Sequence, residues 1–212
     1  MGMEVILQHA GKRYGREVIF QDVDRTFTSG SHTAILGPNG SGKSTFLQLI
    51  AGAINPTSGS VEHRMAGGPV PADQVYAYVS IASPYLNLYD ELRLSEVIAF
   101  HMRAKPLRPG IGAVDVAEIA YLDHAMEKPV LQFSSGMRQR LKLALAILSD
   151  TPLLLLDEPT SNLDAQAISW YRELLLRHLG GRTLFIASNR QPQEYDMCEA
   201  VIDMESFKTS GQ

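Results

Sequence analysis

The sequence predicts an α/β fold with a parallel sheet at its centre, and three observations carry that expectation. A short apolar run, 33–36, leads into Gly37-Pro38-Asn39-Gly40-Ser41-Gly42-Lys43-Ser44-Thr45, and a helically periodic run, 46–51, leads out of it and stops at Gly52. Further on, Leu153-Leu154-Leu155-Leu156 ends in Asp157-Glu158-Pro159. Four branched apolar residues in succession fit a parallel strand buried on both faces. Around that strand, helical runs at 135–148 and 165–179 alternate with strand-like runs at 183–187 and 200–204.

The loop at 37–45 fits G-x-x-x-x-G-K-[ST], a phosphate-binding pattern, in the strand–loop–helix context the pattern needs. Gly37, Gly40 and Gly42 let the backbone curl so that several N–H groups point into one concavity. The helix that follows adds its free N–H groups and positive dipole end. Lys43 supplies a full charge at the β- and γ-phosphates, and the Ser44 hydroxyl is placed to ligate Mg²⁺.

The chain in order begins with strands expected at 4–8 and 18–27, separated by a turn, Lys12-Arg13-Tyr14-Gly15. In the second strand Val23, Arg25 and Phe27 alternate with Asp22, Asp24 and Thr26. After the loop and its helix, 55–59 reads as a turn, 60–62 as a short strand, 65–71 as loop and 75–81 as a strand. From about 83 to 133 the texture turns helical. Leu94, Val97, Ile98, His101 and Met102 share one helical face, and Val114, Ala117, Ile119, Tyr121 and Leu122 suggest a second helix. This reads as a helical insert in an α/β core. Residues 204–212 read as a short loose tail.

Composition excludes several classes. At 212 residues, 45% hydrophobic and 20% charged, the chain is of ordinary globular type and long enough to bury a core. A net charge of −4 points away from nucleic acid. The single cysteine, Cys198, excludes an internal disulfide, fits a reducing cytosol and reads as a small core residue. No targeting segment is read, Ile6 breaks a myristoylation pattern, and no apolar run reaches the ~20 residues that span a bilayer. A membrane role must then come through another chain. None of the six histidines is given a function.

Asp157 and Glu158 close the leucine strand, where open α/β sheets gather their chemistry. Asp157 is placed to hold Mg²⁺ through its water shell, and Glu158 to orient and deprotonate a water attacking a γ-phosphate. Phe133-Ser134-Ser135-Gly136-Met137 opens a long apolar helix. Ser134 and the Gly136 N–H make that helix start a second candidate phosphate site, beside plain N-capping.

Taken together these stretches resemble, nearly end to end, the ATP-binding subunit of ABC transporters. Residues 37–45 resemble Walker A, 133–137 the LSGGQ signature with Ser for its first Gly and Met for its Gln, 153–158 Walker B, and 161–164 the D-loop with Asp164. The resemblance implies a P-loop NTPase fold of the ABC type: a mixed β-sheet flanked by helices, an antiparallel β-subdomain and an inserted helical subdomain. One domain, 1–212, would have its core at 1–82 and 134–212 and its helical subdomain at about 83–133. It further implies ATP and Mg²⁺ as ligands, Tyr14 stacked on adenine, and Ser134, Ser135 and Gly136 completing the site of a second copy. The implied partners are a homodimer and an integral-membrane permease, with the chain on the cytoplasmic face of the membrane. Compact length and a Ser-Ser-Gly-Met signature resemble exporter-type subunits, including cytochrome c maturation ATPases. The alternative is a low-turnover nucleotide-gated module or a soluble assembly ATPase.

Two departures from the family pattern bear on turnover. Where the family has a glutamine entering the helical insert, this chain reads Tyr78-Val79-Ser80-Ile81-Ala82-Ser83-Pro84, leaving Ser80 or Ser83 to offer a hydroxyl. Where the family has a switch histidine, Asn189 stands, with Ser188 and Arg190 as the alternatives. An amide donates a hydrogen bond but relays no proton, so Asn189 and the missing glutamine imply slow hydrolysis.

Overall fold

The computed structural model describes residues 2–207. Two long strands open the chain, β1 (Glu4–Tyr14) and β2 (Glu17–Phe27), joined by a tight turn in which Gly15 takes φ 59°. A third strand, β3 (His32–Leu36), runs into the glycine-rich loop and α1 (Lys43–Ile50). A hairpin of β4 (Ser58–Met65) and β5 (Gly68–Val70) follows, then β6 (Val79–Ala82). Helices α2 (Leu94–Ala104), α3 (Ala113–Ile119) and α4 (Ser135–Leu148) come next. The chain closes with β7 (Leu153–Asp157), α5 (Ala165–Leu179), β8 (Thr183–Ser188), α6 (Pro192–Tyr195) and β9 (Ala200–Asp203).

Parallel and antiparallel pairing are segregated into two sheets. The antiparallel sheet runs β2-β1-β4-β5, and the parallel one runs β6-β7-β8-β3-β9. Gly59 shows why β4 can lie so close to β1: a Cβ there would stand 2.2 Å from the carbonyl oxygens of both Gln8 and His9. Beside that contact the β1 register breaks between Leu7 and Ala10, where His9 takes φ 48°. The His9 ring Nδ1 lies 2.7 Å from Asp22 and 2.9 Å from Asp24, and both carboxylates raise its pKa.

The parallel sheet divides two apolar cores. Side chains alternate across β7, so Leu154 and Leu156 join the core under α2–α5, while Leu153 and Leu155 join α1 and the antiparallel sheet. A strand buried on both faces explains the unbroken leucine run. The helix ends behind the first core are held by Arg182, a 3% exposed side chain. Its guanidinium donates to Ile147 O (2.8 Å) in the last turn of α4 and Ser149 O (3.2 Å) just after it, and to His178 O (2.7 Å) and Leu179 O (3.2 Å) of α5. Two histidines do similar structural work: His63 bonds to Ile50 O at the end of α1, and His101 to the Ser149 hydroxyl. The Cys198 thiol is half-buried, and burial pushes it up to about 12.

Several expected boundaries move. Lys12 to Tyr14 belong to β1, because their backbone pairs with β2. Residues 65–71, expected as loop, carry the β4–β5 hairpin. The first part of 75–81 is a 3₁₀ turn, Ala72–Tyr78, and only β6 is extended. The second expected helix is α3, which ends at Ile119; Val116, Ala117 and, beyond its end, Leu122 are buried, while Val114 and Tyr121 lie exposed. Met204–Phe207, expected as tail, form a 3₁₀ turn whose Phe207 ring stacks on Phe46; the rest of that tail lies outside the described residues.

Candidate active site

Four loops meet at the carboxyl ends of the parallel strands, where β3 yields to the 37–42 loop, β6 to Ser83, β7 to Glu158 and β8 to Asn189. This end of an open α/β sheet is where ligands gather. In the first loop Gly37 and Gly42 cannot carry a side chain: a Cβ would lie 2.4 Å from Ser41 Oγ at the first and 2.5 Å from Ile19 Cγ2 at the second. Gly42, at φ 99°, sits as the N-cap of α1. The amides of the first turn that follows have no acceptor within the helix, an arrangement suited to an anion. The Lys43 side chain is 5% exposed. Its Nζ donates to Gly37 O (2.9 Å) and Pro38 O (3.2 Å) and stands 3.7 Å from the Glu158 carboxylate.

Asp157 lies buried beneath this loop. Ser83 Oγ donates to its Oδ2 at 3.0 Å, while Oδ1 is buried with no hydrogen-bond partner among the described residues. Burial pushes the Asp157 carboxyl above the usual carboxylate range, and the Ser44 and Ser83 hydroxyls pull it partly back. Glu158 follows with φ 45°, a left-handed conformation that costs a non-glycine residue energy and marks functional turns. Its N–H donates to Ala187 O at 2.9 Å, which ties the turn to the end of β8.

A cleft of about 380 Å³ runs over these groups, walled by Glu17 and Ile19 of β2, by the loop and first turn of α1, and by Tyr85 and Glu158. Cavities of about 430 and 420 Å³, against β9 and against α5, hold none of these groups. Of the expected residues, Asn39, Gly40, Gly42, Lys43, Ser44, Thr45 and Glu158 wall the cleft. Tyr14 stands outside that lining, half exposed, with Lys12 Nζ 5.1 Å from its ring centre and its backbone paired with Glu17, which does line the cleft.

Ser134, Ser135 and Gly136 sit at the start of α4, also outside the cleft lining. Ser134 is the N-cap, its Oγ accepting the Met137 N–H at 3.2 Å, and both serines are exposed. Gly136 packs on the loop after β7, where a Cβ would come 3.3 Å from Asn162 O. Gln139, one turn on, donates to Pro159 O at 2.9 Å. The Asp164 carboxylate caps α5, accepting the Ala167 N–H at 2.8 Å.

The geometry separates the alternatives left by the two departures. Ser80 Oγ is buried against Thr151 Oγ1 at 2.7 Å, so of the two serines Ser83 alone reaches the carboxylate site. Ser188 Oγ accepts the Gln191 N–H, and Arg190 pairs with Asp203 (2.8 Å) and Glu205 (3.0 Å). Asn189, between them, is exposed.

Sequence reasoning passed over Tyr85. Its only signal is an aromatic placed directly after the strand end and Pro84. Beyond it, Leu86, Leu88 and Tyr89 wall an apolar groove of about 220 Å³ with Phe100 of α2 and Leu145 of α4. The Tyr89 and Phe100 rings meet edge to face at 5.0 Å, and both are about half exposed.

Comparison with known proteins gives a consistent result. The family model described as ABC transporter matches residues 20–161. The chain is 32% identical over 197 residues to the cytochrome c biogenesis ATP-binding export protein CcmA of Rhizobium meliloti (strain 1021), covering 90% of this chain and 92% of that protein. It is 32% identical over 208 residues to the Nod factor export ATP-binding protein I of Sinorhizobium fredii (strain NBRC 101917 / NGR234), where it covers 94% of this chain but spans only 59% of the relative. It likewise spans 57% of a sulfate/thiosulfate import ATP-binding protein of R. meliloti (strain 1021), at 32% identity and 95% of this chain. Among solved structures, a dimeric ATP-binding cassette in a post-hydrolysis state, bound to ADP and Pi, superposes with a TM-score of 0.78 at 24% identity, covering 94% of this chain and 93% of that one. A putative ABC transporter ATP-binding protein of Pyrococcus furiosus also gives 0.78, at 18% identity, over 97% of this chain and 100% of that one. At those identities the structural likeness speaks for the fold.

Proposed function

The chain belongs to the ABC transporter family, and on that footing we propose that it binds ATP with Mg²⁺ over the 37–45 loop and hydrolyses it between two copies of itself. The observation that supports this best is the meeting of Lys43 Nζ and the Glu158 carboxylate, 3.7 Å apart, above an Asp157 whose buried Oδ1 lacks a partner among the described residues.

The loop amides and the start of α1 receive the β- and γ-phosphates. Lys43 exchanges the carbonyls of Gly37 and Pro38 for phosphoryl oxygens, which carry full charge and bind an ammonium more strongly. The orphaned Asp157 Oδ1 and the Ser44 hydroxyl are hard oxygen donors and fit Mg²⁺. When bound, the ion neutralises charge on the phosphate oxygens. Glu158 takes a proton from a water as its oxygen bonds to the γ-phosphorus. The bond from that phosphorus to the bridging oxygen breaks, leaving ADP and phosphate.

Ser134, Ser135 and Gly136 stand outside the cleft of their own chain, which supports a reading in which they close the cleft of a second copy. Asp164 then belongs to the loop that faces that copy, and Tyr14 to the adenine end of the cleft. The apolar groove beside α2 receives a segment of an integral-membrane partner, through the helical insert at about 83–133. That partner holds the chain on the cytoplasmic face. No helix of the described residues is long and apolar enough to cross a membrane.

The test is thermal unfolding with and without Mg·ATP, in the wild type and in Lys43→Ala. A ligand that binds only the folded state stabilises it by roughly 2.7 kcal/mol at a hundredfold excess over Kd, which for this length is about 5–10 °C. The wild type should gain that shift and Lys43→Ala should not. Equal protection of both proteins refutes the site.

A further inference from the structure

We propose that Tyr85 contacts the terminal phosphoryl group of the bound nucleoside triphosphate, as a third side chain beside Lys43 and Glu158; the proposal rests on the ATPase reading above. Tyr85 is 77% exposed, yet it lines the same cleft as Lys43, Ser44 and Glu158. Its backbone is held on both sides. The Tyr85 N–H donates to Ser83 Oγ (3.4 Å), and that hydroxyl donates to Asp157 Oδ2 (3.0 Å). Lys142 Nζ donates to the carbonyls of Ser83 and Pro84, each at 3.2 Å. Pro84 fixes one further backbone angle.

These bonds set which part of the nucleotide Tyr85 meets. Ser83 anchors the segment to the buried carboxylate of the metal and γ-phosphate side, whereas Glu17 and Ile19 come from β2, the strand that Tyr14 flanks. Tyr85 therefore enters the cleft on the side of the phosphate that is transferred. The chemistry suits that position. A phenol offers one O–H donor at the tip of a rigid ring; that oxygen lies on the Cβ–Cγ axis, so only rotation about Cα–Cβ moves it. The transition state spreads charge over the γ-phosphoryl oxygens, which need donors aimed at them. Of the side chains around the end of β8, Arg190 is turned to Asp203 and Glu205, and Ser188 is fully buried. Asn189 is outside the cleft lining. The residues after Tyr85 wall the apolar groove, so one short segment faces both the cleft and the groove.

A contact made only to the terminal phosphate distinguishes ATP from ADP. The experiment uses the full chain with Mg²⁺ and measures ATP and ADP affinity, kcat and thermal midpoint for the wild type, Tyr85→Phe and Tyr85→Ala. Because the side chain is exposed, both variants should unfold at the wild-type midpoint. Tyr85→Phe should lose about tenfold or more in ATP affinity, the size of a hydrogen bond to a charged group. It should keep ADP affinity and lose kcat as well. Tyr85→Ala should match it. Unchanged ATP affinity and kcat in Tyr85→Phe overturns the proposal, and so does an equal loss for ATP and ADP. If the wild type hydrolyses ATP beside an indifferent Tyr85→Phe, Tyr85 alone is wrong. A wild type that binds neither nucleotide overturns the ATPase reading and Tyr85 with it.

Discussion

Gln139 Nε2 donates to Pro159 O at 2.9 Å, and this buried bond joins the start of α4 to the turn that carries Glu158. It couples the Ser134–Gly136 surface to the turn of the candidate base. In a two-copy assembly, ATP between Lys43 of one chain and Gly136 of the other should pull both Glu158 turns inward together.

Glu158→Gln should trap that assembly. The amide keeps the shape of the carboxylate but takes up no proton, so hydrolysis stops while the phosphate contacts remain. Light scattering with Mg·ATP, in the presence of the membrane partner if one co-purifies, should report a dimer for Glu158→Gln. The wild type should revert to monomer as ATP is consumed. A Glu158→Gln protein that stays monomeric at micromolar concentration with its partner bound refutes the shared site.

Asn189 should set a modest turnover. Removing one preorganised donor from an active site costs about 10²–10³ in kcat. Asn189 retains an amide donor but is exposed and stands outside the cleft lining, so if it turns to the γ-phosphate in the two-copy assembly its share is small, and Asn189→Ala should lower kcat by several-fold with little change in ATP affinity. Asn189→His should keep or raise it. Unchanged turnover in Asn189→Ala assigns the residue to the loop alone.

Asp157 should make stability depend on acid pH. Its folded pKa is raised, chiefly by burial, so the folded state binds that proton more tightly than the unfolded chain. Stability from this group is therefore full below the ordinary carboxylate pKa and is lost as pH rises through the raised one. Asp157→Asn cannot titrate and escapes that loss. Denaturant unfolding without nucleotide should find Asp157→Asn at least as stable as the wild type at neutral pH, with its advantage shrinking toward acid. The same variant should lose protection by Mg·ATP.

Arg182→Met should cost more stability than a surface change of similar size. The substitution leaves carbonyls at the ends of α4 and α5 buried without their donor. Unmet buried polar groups of this kind cost about 1–3 kcal/mol each, so a total of about 3 kcal/mol or more is expected. Calorimetry should register a fall of roughly 6–12 °C. A shift under 2 °C, taken here as roughly half a kcal/mol, refutes this account of how the helix ends are held.

Sequence periodicity located the elements whose burial is one-sided or complete. The bounds 135–148 and 165–179 coincide with α4 and α5, because Ser134 and Asp164 cap them and Gly180 ends the second. Residues 65–71 misled for a physical reason. Gly67, Gly68 and Pro69 read as loop, yet the short β5 is an edge strand that pairs with β4 and tolerates both residue types. Of the face expected over 114–122, Ala117 and Leu122 are buried, but Val114 and Tyr121 lie exposed and Val116 is buried in their place; α3 ends at Ile119 and Tyr121 follows at φ 58°, a break that a local helical period does not register. The loop at 37–45 and the Asp157-Glu158 pair were legible because their chemistry is contiguous in sequence. Tyr85 and the Ser83–Asp157 bond were not, since they depend on which strand β6 lies beside.

The strands β7 and β8, shared by both apolar cores, imply a hierarchy of opening. Neither core can lose its wall without the other, so amides from 153–156 and 184–187 should exchange with solvent only when the whole chain unfolds. The exposed start of β2 and the β4–β5 hairpin pair on fewer sides and should open first. The turns bearing Glu158 and Asn189 thus hang from the slowest-exchanging part of the molecule, while the Tyr14 end of the cleft belongs to the part that opens earliest.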